Sequence, residues 1–251
     1  MCYFCGINYN LNPTNMKKVM KAVAAIMLMT MVIFTVGCTK SDDSNNGNSN
    51  GGGNNSGGGG NGTYNGHTYV DLGLPSGTLW ATCNVGATTP EGYGDYFAWG
   101  ETEPKDYYYW STYQHYNGSN LTKYTGNDGL TTLLPEDDAA TANWGEGWRM
   151  PTQAEFQELL DNTTMTWTTQ NGVNGRLFTA TNGNSLFLPA AGNRWEGGLG
   201  YAGSDGIYWS SSLGSGSPNS AWNLYFRSDY AYVCGFYYRG YGFSVRPVRE
   251  N

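Results

Sequence analysis

Between Trp222 and Phe243, ten of 22 residues carry an aromatic ring, and Tyr alone occupies positions 225, 230, 232, 237, 238 and 241. A strand that only buried a core would set Val, Ile and Leu on one face and polar groups on the other. The run Tyr232-Val233-Cys234-Gly235-Phe236-Tyr237-Tyr238-Arg239-Gly240-Tyr241 instead places rings on every side, so some of them must face water. Tyrosine offers rigid contact area with a polar tip at low side-chain entropy cost, and beside Gly, Ser, Asp and Arg it has the composition of a binding surface. The expected contact residues are Tyr225, Arg227, Asp229, Tyr230, Tyr232, Phe236, Tyr237, Tyr238 and Tyr241, with Leu224, Phe226 and Val245 as scaffold.

The remainder of the chain also favours strands and turns. Of 251 residues 15% are aromatic and only 13% charged, whereas a helical array or coiled coil needs Glu, Lys, Ala and Leu in quantity. Aromatic residues broken by Gly, Asn and Ser describe short strands joined by many turns. A formal charge of −7 argues against nucleic acid as a partner.

Met16-Lys17-Lys18-Val19-Met20-Lys21, the apolar run Ala22 to Val36, and Gly37-Cys38 read as the basic region, hydrophobic region and cleavage site of a secretion signal. The 15-residue apolar run is shorter than the roughly 20 residues that cross a bilayer. Thr35-Val36-Gly37-Cys38 resembles a bacterial lipobox, which implies lipidation of Cys38, although that pattern favours Leu where Thr35 stands. Thr39-Lys40-Ser41-Asp42-Asp43 is similar to the acidic tag of exported lipoproteins, which implies an outer-membrane, cell-surface address in a Gram-negative bacterium.

Residues 1–15 carry no targeting logic, so Met16 is the expected start, and Cys2 with Cys5 is not expected to be a metal or redox pair. Loss of residues 1–37 removes three of the 13 Lys and Arg and no acid, leaving 10 basic against 20 acidic residues, a balance of −10. From Ser44 to Gly62 every residue is Ser, Asn or Gly, a tract that cannot bury apolar area and should reach about 24 Å as a flexible coil. The expected organisation is residues 1–37 as over-extended start and signal, 38–62 as acylated Cys and tether, and 63–251 as one folded domain. Cys83 and Cys234 remain in that domain, and an oxidising compartment leaves their pairing open.

Within the domain, His67 to Leu72 and Thr78 to Thr82 read as strands around the Leu74-Pro75-Ser76-Gly77 turn. Pro135 to Asn143 suits a short helix with acids at its positive end, stopped by Gly145. Thr152-x-x-Glu155 is a capping box, and Phe156, Leu159 and Leu160 follow at helical spacing. Everything after Trp167 reads as strands and turns, which makes the expected class α+β.

Several ordered motifs then carry a resemblance. Tyr69-Val70-Asp71-Leu72-Gly73-Leu74-Pro75-Ser76-Gly77-Thr78-Leu79-Trp80-Ala81, Tyr96-Phe97-Ala98-Trp99-Gly100-Glu101, Trp148-Arg149-Met150-Pro151-Thr152, Tyr208-Trp209-Ser210-Ser211 and Ser244-Val245-Arg246-Pro247-Val248 resemble the Fibrobacter succinogenes major paralogous domain. The resemblance implies a C-type-lectin-like fold of the formylglycine-generating-enzyme type, with its N-terminal and C-terminal strands paired. Gly206 to Val248 also resembles the variable region of proteins diversified by retroelements. There, adenine mutagenesis at AAY codons yields residues such as Tyr, Asp, Ser, Gly, Cys, Phe and Arg, and no Lys, Glu, Gln, Met or Trp occurs from Asn223 to Phe243.

Catalytic signals are weak. Copper binding of the formylglycine type needs two thiols near the C-terminus, where Cys234 stands alone. His67 and His115 lack any nucleophile motif and are expected at the surface. Glu101, Glu103, Asp137, Asp138 and Glu155 could in principle serve a hydrolase, but helix-terminal roles account for Asp137, Asp138 and Glu155. Ser217-Pro218-Asn219 lacks the carboxylate of a lectin calcium loop, so no cofactor is expected, with room for structural calcium near Asn127-Asp128. The expected function is a surface-anchored lipoprotein that binds a protein or glycan ligand without catalysis, held to the outer membrane by its lipid and not binding nucleic acid. The alternatives are a cell-wall or glycan hydrolase and a structural subunit of a surface assembly.

Overall fold

The first hairpin forms at Asn65-Gly66, where both residues take positive φ (46° and 73°), as an Asn-Gly hairpin turn demands. It joins β1 (Gly62–Tyr64) to β2 (His67–Asp71), so strand pairing begins at Gly62, one residue inside the tether expected from composition. The computed structural model describes residues 61–251; the secretion signal, Cys38 and the tether as far as Gly60 lie outside the described residues.

In chain order there follow β3 (Leu79–Ala81), β4 (Tyr96–Phe97), α1 (Ala139–Trp144), α2 (Gln153–Asn162), β5 (Thr163–Gln170), β6 (Val173–Ala180) and β7 (Ser185–Pro189). The chain ends in β8 (Asn193–Trp195), β9 (Gly198–Gly200), β10 (Gly206–Leu213), β11 (Ser220–Phe226), β12 (Ala231–Tyr238), β13 (Phe243–Ser244) and β14 (Val248–Arg249). The class is α+β: among the described residues two α-helices stand among small, mostly antiparallel sheets. One sheet runs β1-β2-β3-β14 and joins the two ends of the domain through Val248 opposite Trp80. The largest runs β12-β11-β10-β13-β4, with β5-β6-β7 and β8-β9 as separate sheets.

Both helices begin where their side chains satisfy orphan amides. The Asp138 carboxylate accepts from the amides of Ala140 and Thr141 and also from Met150, tying the start of α1 to the chain leading into α2. That third bond explains why the single helix expected over Pro135–Asn143 is split into a 3₁₀ turn at Pro135–Asp137 and an α-helix from Ala139. Thr152 and Glu155 form the reciprocal capping box of α2, which buries Phe156 and Leu159.

Strand alternation divides the large sheet into two faces. Tyr208, Leu224 and Phe226 pack with Phe156, Leu159, Phe178 and Leu188, so this face is closed by α2 and the β5-β6-β7 sheet. Ile207, Trp209, Tyr225 and Phe243 belong to a second core with Trp99, Trp144 and Trp148. One expectation fails here. His115 is buried rather than exposed, its Nε2 2.9 Å from the Gly100 carbonyl, and His67 stacks at 3.7 Å on Trp144. Burial holds the His115 imidazole below its ordinary pKa, against the pull of that carbonyl. The thiol of Cys234 is buried and is not joined to Cys83.

Candidate ligand-binding face

β12 is the outermost strand of the large sheet, and its register with β11 sorts the rings. Tyr225 lies directly opposite Tyr232 and Leu224 opposite Val233, so tyrosines share one face and aliphatic groups the other. Between the Ala221–Tyr237 and Asn223–Cys234 pairs β12 has one extra residue, a β-bulge. Gly235 and Phe236 together stand opposite Trp222 there. A Cβ on Gly235 would come within 3.0 Å of the Trp222 ring, so only glycine lets the indole lie flat on the strand. After the bulge Tyr237 returns to the tyrosine face, against Tyr225 and Phe243.

The rings form a continuous belt. Tyr230 and Tyr232 stack at 5.7 Å, Tyr232 meets Tyr225 at 5.4 Å, Tyr225 meets Tyr237 at 6.2 Å, and Tyr237 meets Tyr241 edge-on at 6.1 Å. Tyr241 then stacks on Trp195 at 4.1 Å, Trp195 meets Tyr109 at 4.9 Å, and Tyr109 meets Tyr107 at 6.4 Å. Tyr238 stacks beside Tyr241 and touches Trp110. Tyr107, Tyr109, Trp110 and Trp195 were not among the expected contact residues. The run Tyr107-Tyr108-Tyr109-Trp110 is as ring-dense as the C-terminal segment, and that density was the available signal.

The expected contact residues occupy three environments. Arg227, Asp229, Tyr230 and Tyr238 are exposed, and Tyr232, Tyr237 and Tyr241 are half-buried in the belt. Tyr225 is a correction: only 7% exposed, it is the floor of the belt. Its hydroxyl donates to Asp205 at 2.6 Å, and burial followed by that carboxylate pushes its pKa far above the usual tyrosine range. Phe236 stands apart from the other expected contact residues. It is 67% exposed, but the bulge directs it toward Gly216 and away from the belt.

The rim at the Tyr230 end is polar. Arg227 lies 5.9 Å from the Tyr230 ring centre and 3.8 Å from Asp205, and its carbonyl accepts from the buried Arg176 at 2.9 Å. Asp205 also accepts from Ser204, whose turn follows Tyr201, the most exposed large ring at 69%. Beneath the other end the fully buried Arg239 donates to Tyr113 and to the carbonyls of Lys123, Tyr124 and Pro218.

Of the carboxylates that could have served a hydrolase, Glu101, Asp137 and Glu155 are occupied, Glu101 and Asp137 buried and Glu155 half-buried. Glu101 pairs with Lys105 at 2.7 Å, Asp137 accepts from Tyr124 and Lys123 at 2.5 Å each, and Glu155 pairs with Arg149 at 2.7 Å. Asp128 binds the amides of Thr125 and Leu130, closing its own turn. Among the described residues no group of three or more His, Cys, Asp or Glu is placed to hold a metal ion, and no helix is long and apolar enough to cross a membrane.

Residues 163–248, from β5 into β14, match a family model described as a domain of unknown function (DUF8237). The match therefore includes β11, β12 and the C-terminal part of the belt. No curated protein and no solved structure matches the chain.

Proposed function

We propose that this chain is a cell-surface lipoprotein whose C-type-lectin-like domain, similar to the Fibrobacter succinogenes major paralogous domain, holds a protein ligand on the tyrosine belt without catalysis. The observation that carries the reading is the belt itself: rings from three separate stretches of chain meet on one face, with Tyr107, Tyr109, Tyr230 and Tyr238 exposed on it and Tyr201 exposed at the start of the turn that carries Asp205. Isolated exposed rings need no explanation, whereas a contiguous aromatic patch marks an interaction surface. The half-buried rings are pinned by their neighbours, so a ligand meets a surface that loses little entropy on binding.

Burial also supports the retroelement reading. Within Gly206 to Val248, the positions that resemble the fixed frame of such a variable region are Tyr208 to Ser212, Ala221, Leu224, Phe226, Val233, Arg239, Gly242 and Ser244 to Val248; all are buried except the half-buried Ser212 and Val233. Residue types reachable from an AAY codon fill the exposed positions Arg227, Ser228, Asp229, Tyr230, Phe236 and Tyr238. A surface drawn anew in each lineage on a fixed scaffold would show this division. An adenine-rich near-copy of the 3′ coding region beside a reverse transcriptase gene is expected; its absence removes the diversification reading and leaves the binding one.

Binding is tested by replacing Tyr201, Tyr230 and Tyr238 together with Ala. Capture of surface proteins from neighbouring cells should fall at least about tenfold, with a melting temperature within about 3 °C of the parent. Undiminished capture would refute the belt as the binding face.

A further inference from the structure

A groove of about 520 Å³ opens beside the belt, between the segment from Trp110 to Asn127 and the turn Pro218–Asn219. Its two walls lie far apart in sequence, and Arg239 ties them from below. Nη1 of Arg239 donates to the carbonyls of Tyr124 on one wall and Pro218 on the other, both at 2.9 Å, while its backbone amide donates to Asn219. The guanidinium is fully buried and lies 4.8 Å from the centre of the Trp99 ring. A cation fixed at that many points holds the walls apart before any ligand arrives, so the groove is preformed.

The lining has a definite chemistry. Trp110 and Tyr116, 5.4 Å apart and inclined at 57°, make an apolar corner. Asn120, Asn127 and Asn219 bring side-chain amides to the same groove, and no charged side chain lines it. Among the described residues these three amides, the Trp110 indole N–H and the Tyr116 hydroxyl make no hydrogen bond to protein groups. An amide both donates and accepts, which matches a hydroxyl that does the same, and ring faces accept the C–H face of a sugar. An acidic ligand would find no cation here, and an apolar peptide would leave the amides unanswered.

We infer that this groove binds a neutral oligosaccharide without a metal ion, Trp110 and Tyr116 stacking on the sugar while Asn120, Asn127 and Asn219 bond its hydroxyls. The inference does not rest on ligand binding at the belt, which meets the groove lining at the contact of Tyr238 with Trp110. It is tested on the full chain in EDTA by calorimetry and tryptophan fluorescence, with cellotetraose, mannotetraose and maltotetraose as neutral probes and tetragalacturonate as the acidic one. At least one neutral probe should bind with Kd between about 10⁻⁴ and 10⁻³ M, equally well with added calcium, and tetragalacturonate should not bind. Trp110→Ala should abolish binding. Because Trp110 also packs on Tyr113 and Tyr238, the exposed pair Asn127→Ala with Asn219→Ala gives a second test and should weaken binding at least tenfold. Tyr230→Ala should leave it unchanged, which separates the groove from the belt. The inference is overturned by no binding of any neutral probe up to about 10 mM, by binding that needs calcium, by equal binding of tetragalacturonate, or by binding that survives the double Asn variant.

Discussion

The two faces of β11 and β12 come from the same residues in alternation, yet they differ in almost every physical respect. On one face Leu224, Phe226, Ala231 and Val233 sit under α2 and the β5-β6-β7 sheet, where packing alone decides which side chains fit. On the other face Tyr225, Tyr232 and Tyr237 lean on one another and, through Tyr241, on Trp195, with the hydroxyl of the buried Tyr225 answered by Asp205. A phenol can be half in a core and half in water, because its ring packs while its hydroxyl stays hydrogen-bonded. The difference teaches that exposure of rings here follows from where the covering layer stops. The covered face should govern stability and the ring face should govern binding.

The strongest way to break that division is Phe226→Ala. Phe226 is fully buried between Phe178 and Tyr208, so the loss should be about 3–5 kcal/mol, a fall on the order of 10 °C in melting temperature. Tyr230→Ala on the ring face should cost well under half as much by the same thermal measurement. Equal losses would mean that the belt is core.

A smaller effect is expected from pH, again on the covered face alone. Glu155 caps α2; burial pushes its carboxyl up, but the Arg149 guanidinium, the Thr152 amide and the Thr78 hydroxyl together hold it below its ordinary value of 4.5. A carboxyl lowered in the folded state adds stability that is complete above its unfolded value and disappears as pH falls through the folded one. Glu155→Gln should therefore cost about 1–2 kcal/mol at pH 7, and the gap between parent and variant melting temperatures should narrow as pH falls below 4.5. A gap that stays constant to pH 3 would show that the Glu155 charge has no part in closing α2 over the sheet.

Much of this arrangement was legible because it is local. The Thr152–Glu155 capping box, the α2 stripe and the strands around Leu74-Pro75-Ser76-Gly77 depend on residues a few positions apart. What was not legible depends on distant chain. The run from Tyr232 to Tyr241 reads as rings on every side, because a bulge is set by the partner strand and by the Trp222 ring over Gly235, neither of which appears in the spacing. Tyr225 reads as a contact residue because nothing near it in sequence announces Asp205, twenty positions away. Arg239 and Arg246 are both fully buried, and nothing adjacent in sequence announces the distant groups that answer their charge. Arg246 donates to Asn84 and to the Ala81 carbonyl, and burial pushes its pKa down to about 10.

The smallest expected effect gives the sharpest boundary to the binding face. Phe236 is an aromatic side chain more exposed than Tyr230 or Tyr238, so exposure alone would rank it above them. The bulge turns it to the side of Trp222 and Gly216, where no belt ring reaches it. Phe236→Ser should thus shift stability by less than about 0.5 kcal/mol and leave ligand capture within twofold of the parent. A loss of capture as large as that of the Tyr201, Tyr230 and Tyr238 variant would place the ligand across the edge of β12 instead. The unpaired edge of that strand, rather than its tyrosine face, would then be the surface that receives a partner.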